Sequence, residues 1–236
     1  MRRFFLPSLL VNGTIEPDEE LLHRMSDVLR LDEDDSVEFI DGQGLIIEAK
    51  IINSGKKKEF KEIKRTTVKR PAQKLCLAVS MIRKERFDLL VEKAVELGVD
   101  EIIPLHTERS RPFVKDSYGK LCDKWQKIAD QSLSQCKRVF RCTVLPVSDL
   151  KTVCGSKNVG IKIAFHPNER PVSEMKLNKS SDCMFLIGPE GGFSDDELAL
   201  IKKSNFDIYS MTDSILRTET AAFYALSVFN FLKSVN

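Results

Sequence analysis

The stretch FLIGPEGGFSDDEL, residues 185–198, places a glutamate between glycines directly after an apolar run. A glycine turn between a strand and a helix N-terminus is the usual geometry of an anion site, because glycines let a ligand approach the backbone N–H groups closely. The P-loop, however, requires Lys and then Ser or Thr after its last glycine, and the dinucleotide fingerprint requires G-x-G-x-x-G. Neither pattern is present. Glu190 would also repel phosphate, so the loop favours a ligand that lacks phosphates, including one that carries positive charge.

A simpler interpretation of the same stretch is a tight turn in front of a capped helix. Ser194 and Glu197 have the spacing of a capping box, in which each side chain accepts a hydrogen bond from the other residue's backbone N–H. This explains Ser194 and Glu197 but not Glu190, nor Gly191 and Gly192 together. Residues alone leave both interpretations open.

Two further loops follow apolar strands in the same way, SMTDSILRTETAAF at 210–223 and AFHPNER at 164–170. In a mainly parallel sheet, ligands bind at the carboxyl ends of the strands. We therefore expect the three loops to converge on one pocket.

The 210–223 loop also has a purely structural interpretation. Thr218 or Thr220 can cap the helix that follows, and Arg217 can pair with Glu219 at the surface. The histidines at 23, 106 and 166 show no spacing typical of a metal site or a catalytic triad.

Periodicity assigns the elements that must hold these loops. The 236 residues, 42% hydrophobic and 31% charged, suffice for one large domain or two small ones. Residues 1–71 read as a small β-rich domain with a helix over 17–31 and a hairpin turn at 41–44. From residue 72 on, strands alternate with helices, which predicts an α/β domain with a mainly parallel sheet over 72–236.

Cysteine spacing and the N-terminal residues bear on whether the protein is a zinc-binding, disulfide-rich or secreted one. The six cysteines include no C-x-x-C pair, so we expect neither zinc nor a disulfide framework and a reducing, cytoplasmic setting. Residues 1–13 read as a first strand rather than a signal peptide, because Pro7 interrupts the apolar run. No apolar run reaches membrane-spanning length.

The net charge is only +2, so any RNA site must be local. The lysine-rich run 56–70 is most often a solvated strand pair, but beside the N-terminal RRFF it can contact a phosphate backbone. The end of the predicted helix near residue 135 adds polar and basic side chains. The candidate RNA contacts are Arg3, Arg30, Lys56, Lys57, Arg65, Arg109, Gln135 and Arg138.

Together the motifs resemble a known family. IGPEGGFSDDE and ILRTETA are similar to the two C-terminal signatures of the bacterial enzymes that methylate N3 of a uridine in 16S ribosomal RNA, the ribosomal RNA small subunit methyltransferase E family of the SPOUT superfamily. RRFF, HRMSDVLRL, VEKAVELGVDEIIPLHTERS and WQKIADQSLSQCKR extend the similarity over nearly the whole chain. A lone GPEGG is a weak signal, whereas its pairing with LRTETA at this separation is specific.

The resemblance implies an N-terminal PUA-like β-barrel for RNA, a C-terminal domain with a trefoil knot, and a homodimer, for which the apolar last helix AAFYALSVFNFL offers an interface. It also implies S-adenosylmethionine as methyl donor and no metal. This donor carries a positively charged sulfonium and no phosphates, so Glu190 in the loop would not repel it. The implied cofactor contacts are Phe165, His166, Ile187, Gly188, Pro189, Glu190, Gly191, Gly192, Met211, Thr212, Ser214, Ile215 and Leu216.

The resemblance also implies which reaction the site residues must support, namely methyl transfer to N3 of a uridine. Uridine N3 must lose a proton before it attacks a methyl group, and the base must leave its stack. We expect Arg109, Arg138 and Arg217 to hold phosphate or the uracil oxygens as charge develops. Glu190 is either a proton acceptor or a structural acceptor of backbone hydrogen bonds. The alternatives are a SPOUT methyltransferase for another rRNA or tRNA nucleotide and a non-catalytic RNA-binding protein of this fold.

Overall fold

A computed structural model describes residues 1–7, 9, 15–54, 57–111, 114–156, 159–178 and 181–235. The chain forms two compact units. The first comprises Met1–Arg70 together with Leu133–Arg141, and the second comprises Pro71–Ser132 together with Cys142–Asn236.

The first unit is built on a four-stranded sheet in the order β1-β2-β3-β4. Strand β1 runs parallel to β2, and the other two pairings are antiparallel. Helix α1 begins after Asp18, whose carboxylate accepts a hydrogen bond from the backbone N–H of Leu21, and it continues into a π-helical turn. The bounds are β1 Arg2–Phe5, α1 Glu19–His23, the π-turn Arg24–Val28, β2 Ser36–Ile40, β3 Leu45–Ser54 and β4 Lys57–Thr67.

The hairpin turn predicted at 41–44 is confirmed between β2 and β3. The carboxylate of Asp41 accepts hydrogen bonds from the N–H groups of Gln43 and Leu45. Gly44 has a φ of 123°, and a Cβ there would lie 2.5 Å from the carbonyl oxygen of Val68. Only glycine fits this position without moving the neighbouring backbone.

The second unit has a seven-stranded sheet in the order β11-β9-β10-β5-β6-β7, with β8 also paired to β6. Every pairing in it is parallel, which confirms the predicted α/β class. The strands are β5 Leu75–Ser80, β6 Glu101–His106, β7 Thr143–Val144, β8 Ser148–Asp149, β9 Ile161–Pro171, β10 Cys183–Ile187 and β11 Asp207–Ser210. The helices are α2 Lys84–Glu96, α3 Tyr118–Gln135, α4 Leu150–Cys154, α5 Asp195–Lys203 and α6 Thr218–Val235.

Burial in this unit follows the sheet. Every residue of β5 and β10 is buried, as expected for central parallel strands covered on both faces. Helix α2 turns Phe87, among other apolar residues, inward, and this ring packs on Trp125 of α3 at 4.1 Å between centroids. The helix ends where Gly98 adopts a φ of 97°.

The position of β10 shapes the edge of the sheet where the loops lie. Although β10 comes late in the chain, it lies between β5 and β9, and β11 lies outside β9. The end of β10 therefore lies beside Phe165, within β9, and β11 ends beside Pro171 at the end of β9. The register of β9 against β11 moves from Ala164 to Arg170 between consecutive residues of β11, so residues 165–169 form an excursion from that ladder.

Within the described residues, no helix is both long and apolar enough to cross a membrane. All six cysteines are free thiols, four of them buried. Burial raises the pKa of Cys76 on β5 and of Cys183 on β10 to about 12.

These two thiols predict a loss of stability at alkaline pH. Between pH 8 and pH 10 the unfolded chain releases thiol protons that the native state keeps, so the free energy of unfolding falls by about 1.4 kcal/mol per thiol. Urea unfolding at both pH values measures this fall. A variant carrying Cys76→Ala and Cys183→Ala should show a shallower decline, and an equal decline would contradict the assignment.

Candidate active site

The three loops identified in the sequence line a single cavity of about 290 Å³ in the second unit. Every candidate cofactor contact lies on its wall. Five further residues outside those candidates also line it: Arg109, Pro167, Phe193, Thr218 and Ala221. The loops after β10 and β11 leave strand ends, as expected from a parallel sheet, whereas residues 165–167 lie on the excursion within β9 rather than after it.

The loop after β10 is a tight turn whose shape requires glycine at two points. The backbone N–H of Gly192 donates to the carbonyl oxygen of Pro189 at 2.9 Å, and Gly192 has a φ of 71°. At Gly188 a Cβ would lie 3.0 Å from the ring of Phe193, which is 3% exposed. A side chain at Gly188 would therefore displace a buried aromatic ring.

Side chains from two other segments hold this loop in place. The guanidinium of Arg109, which follows β6, donates to the carbonyl oxygens of Gly191 at 3.1 Å and Phe193 at 3.5 Å. The hydroxyl of Thr218 at the start of α6 donates to the carbonyl oxygen of Gly188 at 3.0 Å. Three carbonyls of the loop are thus satisfied from outside it.

The capping box behind the loop is confirmed. Ser194 and Glu197 exchange the two hydrogen bonds, and Glu197 accepts a further one from the backbone N–H of Glu108 at 2.8 Å. Glu197 therefore joins the start of α5 to the segment that carries Arg109.

Glu190 forms an ion pair. Its carboxylate lies 2.5 Å from Nη1 of Arg86, on the first turn of α2, and Nε of the same guanidinium lies 3.7 Å from Oε1 of Glu219. The pairing of Arg217 with Glu219, considered from the sequence, is wrong. Glu219 is buried at 8% exposure and faces Arg86, whereas Arg217 is exposed.

The loop after β11 closes on itself. The hydroxyl of Thr212 donates to the carbonyl oxygen of Ser214 at 2.7 Å. Beside it, Ile215 lines the cavity although its side chain is 86% exposed. On the β9 excursion, Nδ1 of His166 lies 2.8 Å from the carbonyl oxygen of Pro167.

Unlike the candidate cofactor contacts, the four candidate catalytic residues do not all line the cavity that the structure describes. Arg109 and Glu190 line the cavity. Arg217 is exposed and lies between two lining residues without itself contributing to the described wall. Arg138 belongs to the first unit.

Two of the candidate RNA contacts are engaged inside the first unit. Arg3 is only 9% exposed in its side chain, pairs with Glu38 at 2.9 Å, and donates to the carbonyl oxygen of Lys137. Arg65 pairs with Glu62 at 2.8 Å, and this contact raises the pKa of Arg65 and lowers that of Glu62. A phosphate contact by either cation would require it to leave these partners.

The remaining candidates differ in exposure. Arg30 and Gln135 are exposed, and Arg138 is half-buried. Lys57 begins β4, and Lys56 lies outside the described residues.

Sequence reasoning missed the role of Arg86 and the contributions of Phe193, Thr218 and Ala221 to the cavity. The last two belong to the LRTETA motif, so extending the loop to the first turn of α6 would have found them. Phe193 follows the glycine pair directly. No local signal indicates that Arg86 lies beside Glu190, 104 residues away.

A match to a known protein family identifies the type of enzyme. The family model described as an RNA methyltransferase domain matches residues 69–230. The chain belongs to this family. The resemblance found in the sequence is thereby confirmed at the level of an RNA methyltransferase.

Individual relatives of this RNA methyltransferase align over most of its length. It is 29% identical to the ribosomal RNA small subunit methyltransferase E of Rickettsia conorii over 98% of this chain and 96% of that one. The protein of the same name from Buchnera aphidicola is 29% identical over 89% and 84% of the two chains.

Solved structures of methyltransferases are similar to this chain over nearly its whole length. The ribosomal RNA small subunit methyltransferase E from Neisseria gonorrhoeae bound to S-adenosyl methionine superposes with a TM-score of 0.85, at 25% identity over 98% of each chain. A Legionella pneumophila protein in complex with the cofactor SAM gives a TM-score of 0.85 at 28% identity, over 98% of this chain and 97% of that one.

The glycine at 188 provides a direct test of the loop geometry. Gly188→Ala should lower the free energy of unfolding by about 1–2 kcal/mol, because the new methyl group meets a buried ring. Gly119→Ala is the matched control, since a Cβ at Gly119 in the first turn of α3 meets nothing within 4 Å. Urea unfolding measures both variants. Equal effects would show that the Phe193 contact does not constrain the loop.

Proposed function

We propose that this RNA methyltransferase uses S-adenosylmethionine to methylate N3 of a uridine in the 16S RNA of the small ribosomal subunit. The observation that carries the proposal is the single cavity formed by the β9 excursion and the loops after β10 and β11 in a domain that matches the RNA methyltransferase family. Relatives aligned over nearly the whole chain bear the name ribosomal RNA small subunit methyltransferase E.

The residues of the cavity fit such a donor. Apolar side chains such as Phe165 and Leu216 lie beside the backbone of the glycine loop, which offers hydrogen-bonding groups to an adenosine and an amino acid. Glu190 adds a negative charge where a phosphate cofactor would be repelled. Structures of the similar Neisseria and Legionella proteins contain this donor. When bound, the sulfonium supplies an electrophilic methyl group.

Other residues of this chain would position the uridine and stabilise its negative charge. Uridine N3 needs in-line placement against the methyl group, and its negative charge must be stabilised as the proton leaves. Arg109 lies on the cavity wall, and Arg217 follows the loop after β11, so we propose that they act on the uracil oxygens or phosphate. Arg138 is the third candidate for phosphate contact. The ion pair with Arg86 favours an anchoring role for Glu190 over that of proton acceptor.

The first unit is proposed to hold the RNA as a PUA-like barrel over residues 1–71, and residues 72–236 to form a SPOUT domain with a C-terminal trefoil knot. The four-stranded sheet of the first unit supports the former. The late insertion of β10 between β5 and β9 supports the latter, because the chain returns to the middle of a sheet already laid down. A cytoplasmic location follows from an rRNA substrate.

Cofactor and substrate are tested together. The purified protein should bind S-adenosylhomocysteine in calorimetry with a dissociation constant in roughly the micromolar range. It should also add methyl groups to small subunits from cells that lack it, and mass spectrometry of the digested 16S RNA should show 3-methyluridine. Methylation of another nucleotide would reject the uridine assignment. Absence of binding would favour a non-catalytic RNA-binding protein.

The proposed homodimer uses the last helix. Although α6 buries Leu226 and Phe229, it leaves Phe231 at 62% exposure. Phe231→Ser should weaken self-association at least about tenfold in light scattering, because a buried aromatic ring contributes strongly to an interface. Val114→Ser, at a residue 72% exposed, is the control. A wild-type monomer at all concentrations would contradict the dimer.

A further inference from the structure

A buried carboxylate at the start of α6 has an oxygen without a hydrogen-bond partner among the described residues. Glu219 is 8% exposed, and among the described residues its Oε2 has no hydrogen-bond partner. A buried carboxylate is costly unless positive charge lies close to it. The positive charge beside it is the guanidinium of Arg86, whose Nε lies 3.7 Å from Oε1.

The same guanidinium reaches the cofactor loop. Its Nη1 contacts Glu190 at 2.5 Å, and the Arg86 side chain is 29% exposed. One planar cation thus joins three segments, namely the first turn of α2, the loop after β10 and the first turn of α6. A guanidinium suits this position because its donors are fixed in direction, unlike those of a lysine.

We propose that Arg86 is a positioning residue for the cofactor loop. It fixes the side chain of Glu190, and with it residues 187–192, in the shape that accepts the methyl donor, while buried Glu219 keeps the guanidinium in place. This inference rests on the proposed function. It assigns Glu190 as the anchor of the loop, because a proton taken up by Glu190 would remove the charge that Arg86 pairs with.

Two observations place this contact within the binding machinery. Glu190 lines the cavity, and its neighbour Gly191 is held from the other side by Arg109. Thr218, the residue before Glu219, donates to the carbonyl oxygen of Gly188. Arg86 therefore completes a set of contacts that fix the loop along its length.

The test uses a charge-balanced variant. Arg86→Met alone leaves Glu219 buried without its cation and risks unfolding, so it is combined with Glu219→Gln. Arg83→Met is the control, since Arg83 precedes α2, is exposed and makes no side-chain cap contact. Arg86→Lys keeps the positive charge but lacks the planar guanidinium. It should therefore give loop exchange and donor affinity between those of the double variant and wild type.

Two readouts are needed. Without ligand, the amides of the cofactor loop should exchange hydrogen about tenfold faster in the double variant than in wild type, since a contact that limits local opening is lost. With ligand, the dissociation constant for S-adenosylhomocysteine should rise about tenfold, and KM for the donor should rise more than kcat falls. Arg83→Met should resemble wild type in both.

The outcomes separate the two proposals. Wild-type exchange and affinity in a folded double variant would overturn the role of Arg86. So would a Glu190→Gln variant that keeps donor affinity but loses turnover by about 100-fold or more, as expected for a proton acceptor. If wild type binds no donor, the proposed function fails, whereas faster loop exchange in the double variant still supports the positioning role.

Discussion

The placement of β10 between β5 and β9 is the constraint on which the site depends. It places the excursion of β9 beside the ends of β10 and β11, although the ends of β9, β10 and β11, at Pro171, Ile187 and Ser210, lie 16 and 23 residues apart in the chain. Because all the pairings are parallel, the loops after β10 and β11 leave the sheet at the same edge, beside the β9 excursion. A different strand order would keep every local element and lose the cavity.

Within that edge, contacts from neighbouring segments determine the shape of the central loop. Arg109 and Thr218 satisfy its carbonyl oxygens, and Arg86 binds its one carboxylate. Such contacts reduce the ordering that a ligand would otherwise have to impose, which is the general advantage of a preformed site. The glycines provide the conformation, and the side chains of other segments keep it.

The features predicted from the sequence are those that depend on neighbours in the chain. The capping box of Ser194 and Glu197 and the hairpin turn at 41–44 follow from local hydrogen bonds, and alternating strands and helices indicated the parallel sheet. The partner of Glu219 could not be predicted, because Arg86 is distant in sequence and meets it only through the packing of α2 against α6. The grouping of Leu133–Arg141 with the first unit likewise depends on tertiary contacts.

We propose that one cavity in the second unit receives the methyl donor. A crystal structure of this protein with S-adenosylhomocysteine tests it most directly. We predict ligand density in contact with the β9 excursion and with the loops after β10 and β11, with Glu190 still paired to Arg86. Ligand density elsewhere, or a central loop rebuilt around the ligand with that ion pair broken, would contradict the account.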